Sequence, residues 1–171
     1  MSLRHAVLGL LSEEPGSGWD LMQKFEVSLS NVWPATQSQL YGELAKLADS
    51  GLITVVEEGP RGRKVYAITD EGRAELRHWL LETRPRTRRD DLLLRVFFLN
   101  ALEPDEARAF LATTAGVATE HHESLRKLDE QLEWGDNALA VYGRLALEWG
   151  LRFTAMHREW ADWAREQLPE K

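Results

Sequence analysis

Thr36, Gln37, Ser38, Gln39, Tyr41 and Lys46 are followed, across a glycine at position 51, by Arg61, Arg63 and Lys64. A Gln side chain can bond an adenine edge through two hydrogen bonds, and Ser, Thr and Tyr hydroxyls reach phosphates or base edges. Closely spaced cations on a glycine-flanked support suit phosphate contact or a narrow minor groove. This is the chemistry of holding a DNA duplex, not of breaking bonds. A second constellation is apolar: Phe110, Leu125, Leu128, Trp149, Phe153, Met156, Trp160 and Trp163. Aromatic side chains in such numbers suit either a subunit interface or a pocket for a flat aromatic effector.

Other chemistry finds no support. The adjacent His121 and His122 point about 100° apart on a helix, so with His157 they do not make a metal site, and there is no cysteine to complete one. No GxSxG, P-loop, HExxH or GxGxxG motif is present, and no carboxylate pair stands out. Neither an enzyme, a metal nor a cofactor is expected.

The periodicity says what must position these residues. Leu3, Ala6, Val7, Leu10 and Leu11 have helical spacing, broken by Pro15-Gly16-Ser17-Gly18. Ser17 can cap a second helix carrying Leu21, Met22 and Phe25. Trp33-Pro34 predicts a turn, after which Thr36 or Ser38 caps a third helix with Leu40, Leu44 and Leu47 inward. Gly51 ends it. Leu52–Glu57 and Lys64–Ile68 favour β structure and are joined by a segment with two glycines and a proline, predicting a hairpin with a flexible tip. A fourth helix follows through Leu76, Trp79 and Leu80. This order outlines a winged helix-turn-helix, with the third helix as reader and the hairpin as wing.

The Arg84-Pro85-Arg86-Thr87-Arg88-Arg89 run reads as the boundary, giving a winged helix-turn-helix over 1–84 and a helical dimerisation domain over 85–171. Its arginines suit a solvated linker or a further phosphate contact. Beyond it the pattern is helical throughout, so the fold class is mainly α. A short apolar helix begins at Asp90-Asp91. A long one places Ala107, Phe110, Thr114, Val117, His121, Leu125, Leu128 and Leu132 on one stripe. After a turn at Gly135-Asp136-Asn137, a last helix aligns Tyr142, Leu145, Trp149, Phe153, Met156, Trp160 and Trp163. An antiparallel pair of long helices has too little interior to bury that stripe, and a second copy of the chain is the economical partner. Trp19, Trp33 and Trp79 are expected to pack around the first domain.

Composition bounds the reading. The chain has 171 residues, 43% of them hydrophobic, enough for one or two cores. Absence of cysteine fits a cytoplasmic protein. The apolar stretch Ala6–Leu11 is too short for a signal-peptide core, and Leu92–Leu99 is far short of a membrane span. The net charge of −7 is unusual for a DNA-binding chain. Exposed charges are screened beyond about 10 Å, however, so a small basic patch can act locally. Binding led by phosphate contact is expected to be steeply salt-dependent.

Three segments together resemble the PadR family of bacterial transcriptional regulators: LRHAVLGLLSEEPGSGWDLMQKFE, WPATQSQLYGELAKLADSGLI and GRKVYAITDEGRAEL. The framework of Tyr41, Leu44, Leu47 and Gly51 and the wing ending at Val65-Tyr66, Ile68-Thr69 and Gly72 match that family's pattern. The helical remainder is similar to the longer subfamily, whose C-terminal helices form the dimer. The resemblance implies a homodimeric repressor whose two winged helices read an inverted repeat. It places Gln37, Ser38, Gln39 and Tyr41 on the recognition helix facing double-stranded operator DNA, with Arg61, Arg63 and Lys64 on the wing. Members of the family respond variously to phenolic acids, drugs or no known ligand. No arginine lies on this recognition helix, which implies contacts through Gln or DNA shape. A winged-helix module that binds protein through the same surface is the alternative.

Overall fold

The computed structural model describes residues 2–29, 35–82, 90–132, 134–135 and 138–169. The chain divides into two compact units, Met1–Arg86 and Thr87–Lys171. The expected turn at Trp33-Pro34 and the arginine-rich boundary segment lie outside the described residues, as do Asp136 and Asn137 of the hairpin turn.

In the first unit the order is α1 (Ser2–Glu13), β1 (Gly16–Ser17), α2 (Gly18–Ser28), α3 (Gln37–Asp49), β2 (Ile53–Glu58), β3 (Lys64–Ile68) and α4 (Asp70–Glu82). One face of each helix is apolar, so Val7, Leu8, Leu11, Leu21, Phe25, Leu40, Leu44, Leu47 and Ile53 close into a single core. Ser17 caps α2: its hydroxyl oxygen accepts from the Asp20 amide, and Asp20 reaches back to the Ser17 amide. The same reciprocal box, Thr36 with Gln39, opens α3. At the end of α3, Gly51 takes a φ of 73°, a left-handed turn that a Cβ would strain.

The sheet has one strand more than the periodicity predicts. Two-residue β1 pairs antiparallel with β3, Gly16 opposite Tyr66 and Ser17 opposite Val65, giving the order β1-β3-β2. Pro15-Gly16 does break α1, but the residues it frees serve as an edge to the wing. The register of β2 against β3 shifts between Val55 and Glu57, a bulge that leaves Val56 exposed. Pro60–Gly62 form a 3-10 turn, with the Gly59 amide donating to Arg63 O at 2.7 Å and Gly62 at φ 76°. Trp79 packs as expected, stacked on His5 at 4.5 Å. Trp19 does not: it stands 65% exposed on the first turn of α2. Leu80 is exposed too.

The second unit holds α5 (Asp91–Phe97), a 3-10 turn (Leu99–Ala101), α6 (Pro104–Gln131) and α7 (Ala138–Glu166). The helices α6 and α7 pack along a seam of Ala107, Leu111, Ala115, Ala118 and Leu125 against Leu147, Thr154 and Ala161. The members of α7 recur every seven residues, as a shallow left-handed crossing requires. The stripe expected on α6 is therefore offset: Ala107 and Leu125 lie in the seam, while Val117 and His121 are exposed. Alanines allow close approach of the helices, so the seam runs through small residues that a search for large apolar side chains passes over. His122 crosses it, its Nδ1 2.8 Å from Thr154 Oγ1 and 3.1 Å from Leu151 O.

Candidate nucleic-acid interface

Each expected DNA-facing residue has a definite place. The exposed residues Gln37 and Ser38 lie on the first turn of α3. Thr36 and Gln39 beside them are bound to each other: Gln39 Oε1 accepts from the Thr36 amide at 2.9 Å, and Thr36 Oγ1 accepts from the Gln39 amide. Gln39 thus keeps only its NH2 donors for a base edge in this conformation. The reading face is narrower than the sequence suggests, centred on Gln37 and Ser38. Lys46, about two turns further on, pairs with Glu43 at 3.4 Å.

On the wing, Lys64 Nζ lies 3.9 Å from Glu58, and Arg63 Nη2 lies 3.4 Å from Asp20 Oδ2. Arg61 belongs to the 3-10 turn, and its side chain lies outside the described residues. The Asp20 carboxyl is held below the ordinary aspartate range, first by the Ser17 hydroxyl and backbone amide, then by Arg63. It is a fixed negative charge at the base of the wing.

The first turn of α2 joins these two surfaces. Gly18 lies so close to Tyr41 that a Cβ there would meet the ring at 2.6 Å, and Asp20, two residues on, meets Arg63. Tyr41 of α3 and Arg63 of the wing therefore flank one helical turn. Sequence periodicity does not reveal this bridge, because Gly18 and Asp20 lie off the apolar face of α2 that carries Leu21 and Phe25.

In the second unit the apolar residues separate into three environments. Leu125 is buried in the α6–α7 seam, where a Cβ on Gly150 would meet its Cδ1 at 3.0 Å, so it faces its own chain, with Leu128 half-buried. Tyr142, Leu145, Trp149, Met156 and Trp163 are exposed along α7, with Trp160 half-buried. Phe110 and Phe153 instead line a cavity of about 330 Å³, together with Leu92, Arg95, Thr113, Thr114, His121 and His157. Trp149 stacks on Phe153 at 4.9 Å, and Phe153 meets His157 at 4.2 Å. None of Trp149, Trp160 and Trp163 lines the cavity. Among the described residues no group of His, Asp or Glu is placed to hold a metal, and no helix is long and apolar enough to cross a membrane.

Comparison with known proteins agrees with both units. Residues 7–78 match the model of the Transcriptional regulator PadR-like family, and residues 88–169 match that of Virulence activator alpha C-term. The "Negative transcriptional regulator PadR" of Bacillus subtilis is 37% identical over 110 residues, 61% of this chain and 60% of that protein. The protein of Mycobacterium tuberculosis named "Probable transcriptional regulator Rv1176c" is 32% identical over the full length of both chains. Two crystal structures of Bacillus subtilis PadR superpose with a TM-score of 0.82. One is its complex with operator DNA (28% identity, 99% of this chain and 100% of that one). The other is its complex with p-coumaric acid (30% identity, 95% of each). The arrangement of helices and wing, the paired family matches and the full-length similarity place the chain in one group: it belongs to the PadR-like family of transcriptional regulators, which are not enzymes.

Proposed function

We propose that this chain is a cytoplasmic, homodimeric repressor that binds an inverted-repeat operator, with Gln37, Ser38, the amide of Gln39, Tyr41 and Lys46 from α3 and Arg61, Arg63 and Lys64 from the wing facing DNA. The observation that carries the reading is the turn Ser17–Asp20, which lies against Tyr41 at Gly18 and is joined to the wing by the pairing of Ser17 with Val65. A helix and a wing fixed to one support can enter a groove and clamp the flanking backbone as one body. Thr36 acts mainly by starting the helix in the right place. The Bacillus subtilis relative's complex with operator DNA supports this use of the fold. The dimer sets two reading helices about 34 Å, or a multiple of it, apart along the duplex.

Replacing Arg61 and Arg63 together with Ala is expected to weaken binding to every sequence by roughly tenfold or more and to reduce the salt slope by about two, one per lost phosphate contact. Fluorescence anisotropy over a salt series reads both quantities. Unchanged affinity removes the wing from the interface. Absence of any shift at low salt with the chain's own upstream DNA favours a protein-binding module instead.

The cavity beside Phe110 and Phe153 supports a second element of the proposal, a small aromatic acid as effector. Aromatic walls with His121, His157 and Arg95, whose Nη2 pairs with Asp91 of the same lining at 2.8 Å, suit a planar ring bearing a carboxylate that competes for that guanidinium. The relative's complex with p-coumaric acid is consistent with that class. The effector is thus proposed beside the phenylalanines, not between the tryptophans. A planar aromatic acid such as p-coumarate should quench tryptophan emission, because Trp149 stacks on the cavity wall, and should lower DNA affinity. Phe153→Ala should weaken that quenching roughly tenfold, about the loss of one good aromatic contact, and leave DNA affinity of the free protein intact. Quenching without any change in DNA affinity separates ligand binding from regulation and overturns the effector role.

A further inference from the structure

We infer that Asp20 competes with DNA for Arg63, so that the wing engages phosphate only by exchanging one anion for another; the inference rests on the DNA-binding reading above. Asp20 is unusually well fixed for a surface carboxylate. Its Oδ2 accepts from the Ser17 amide at 2.9 Å and the Ser17 hydroxyl at 2.6 Å, while Ser17 itself is pinned to the wing by pairing with Val65. The carboxylate is therefore a permanent feature of the wing's base. It is one-third exposed, and Arg63 is about half exposed, so a phosphate oxygen can approach the guanidinium that Asp20 holds at 3.4 Å. Two consequences follow from charge alone. Arg63 gives up an ion pair on binding DNA, and Asp20 remains beside the incoming phosphate as a like charge. Both lower affinity without regard to base sequence. A cost that falls on all sequences equally leaves α3 to decide which sites are held.

The other wing cation, Lys64, is paired more loosely and with a residue on the neighbouring strand, Glu58, at 3.9 Å. Asp20 differs because the pair crosses from α2 to the wing and because Ser17 prevents the carboxylate from turning away. It is a positioning residue, acting through Arg63.

The test uses the full chain and a short mixed-sequence duplex, with dissociation constants measured by anisotropy at several salt concentrations. Asp20→Asn retains an oxygen that accepts from the Ser17 amide, so the α2 cap persists, and thermal unfolding checks this. The variant should bind roughly three- to tenfold more tightly than wild type at low salt, with the gain shrinking as salt rises. In an Arg63→Ala background the same substitution should produce little change, because the group through which Asp20 acts is gone. Asp20→Ser, a shorter side chain suited to a helix N-terminus, should act in the same direction and guards against a folding artefact of the first variant. Weaker or unchanged binding in both Asp20 variants, while Arg63→Ala is clearly impaired, overturns the competition and leaves the DNA reading standing. Equal tightening with and without Arg63 overturns it as well, as a general charge effect. A wild-type protein that binds no duplex at low salt overturns both readings.

Discussion

Leu145→Glu combined with Trp149→Glu is expected to convert the proposed dimer to a monomer, with a halved mass in sedimentation and a helical spectrum little changed. Leu145 and Trp149 are 63% and 60% exposed in the single chain, one helical turn apart on a stripe that continues through Met156 and Trp163. Large apolar side chains at that exposure are costly to leave in water, and Trp is among the residue types that most often carry an interface. The α6–α7 seam runs along a different face of α7, through Leu147, Thr154 and Ala161, so the hairpin does not depend on the substituted positions. Two carboxylates placed in a desolvated patch, opposite their own symmetry mates, oppose association strongly. The consequence reaches the DNA: with two half-sites no longer linked, affinity for an inverted repeat should fall by roughly a hundredfold or more, while contact by each winged helix is unchanged. A double variant that still sediments as a dimer places the interface elsewhere. The exposed Leu93, Leu94 and Phe97 of α5, with Phe98 just after it, are then the next surface to substitute.

The sequence was most legible where one physical rule acted alone. Leu40, Leu44 and Leu47 are buried as their spacing requires, Ser17 and Thr36 cap the helices they precede, and Gly51 takes the left-handed turn. It was less legible where two rules compete for the same residue. Gln39 can read a base or close a capping box, and in this structure its carbonyl closes the box. Leu125 fits a stripe for a partner and a seam within the chain, and only the offset of α7 decides for the seam. β1 spans two residues and carries no periodicity, so no pattern could find it. The Asp20–Arg63 pair joins positions 43 residues apart. Its first half looks like an ordinary cap and its second like an ordinary loop cation. Of the apolar set, Phe110 and Phe153 line the cavity while Trp149, Trp160 and Trp163 do not, a division that residue type alone does not make. Surface charge misleads in a similar way. Three of the described cations in the proposed interface, Lys46, Arg63 and Lys64, each lie against a carboxylate. The acidic balance of the chain therefore reaches the reading surface itself.

Gly72→Ala should unfold the first unit more readily than any loss of a surface contact. Gly72 lies on the first turn of α4, and a Cβ there would fall on the Leu52 carbonyl oxygen and meet Ile68 Cγ1 at 2.8 Å. Neither neighbour can give way easily. Leu52 O already accepts from the Thr69 amide at 3.1 Å. Thr69 in turn ties the corner together, its hydroxyl donating to Gly51 O at 2.8 Å and accepting from the Gly72 amide at 3.1 Å. A methyl group must therefore push α4 away from the turn that links α3 to the wing, breaking the cap or displacing β3. Overpacking of this kind costs about 3 kcal/mol, which for a unit of this size lowers its melting temperature by roughly 12–20 °C. Gly9 supplies the contrast, since it also lies in a helix but a Cβ there meets nothing within 4 Å. Gly9→Ala should stabilise by up to about 1 kcal/mol through helix propensity alone. Calorimetry of the two variants beside wild type reads the difference directly. If Gly72→Ala melts as wild type does, the close approach of α4 to Leu52 is not a constraint on the fold, and the rigid support proposed for α3 and the wing loses one of its fixed points.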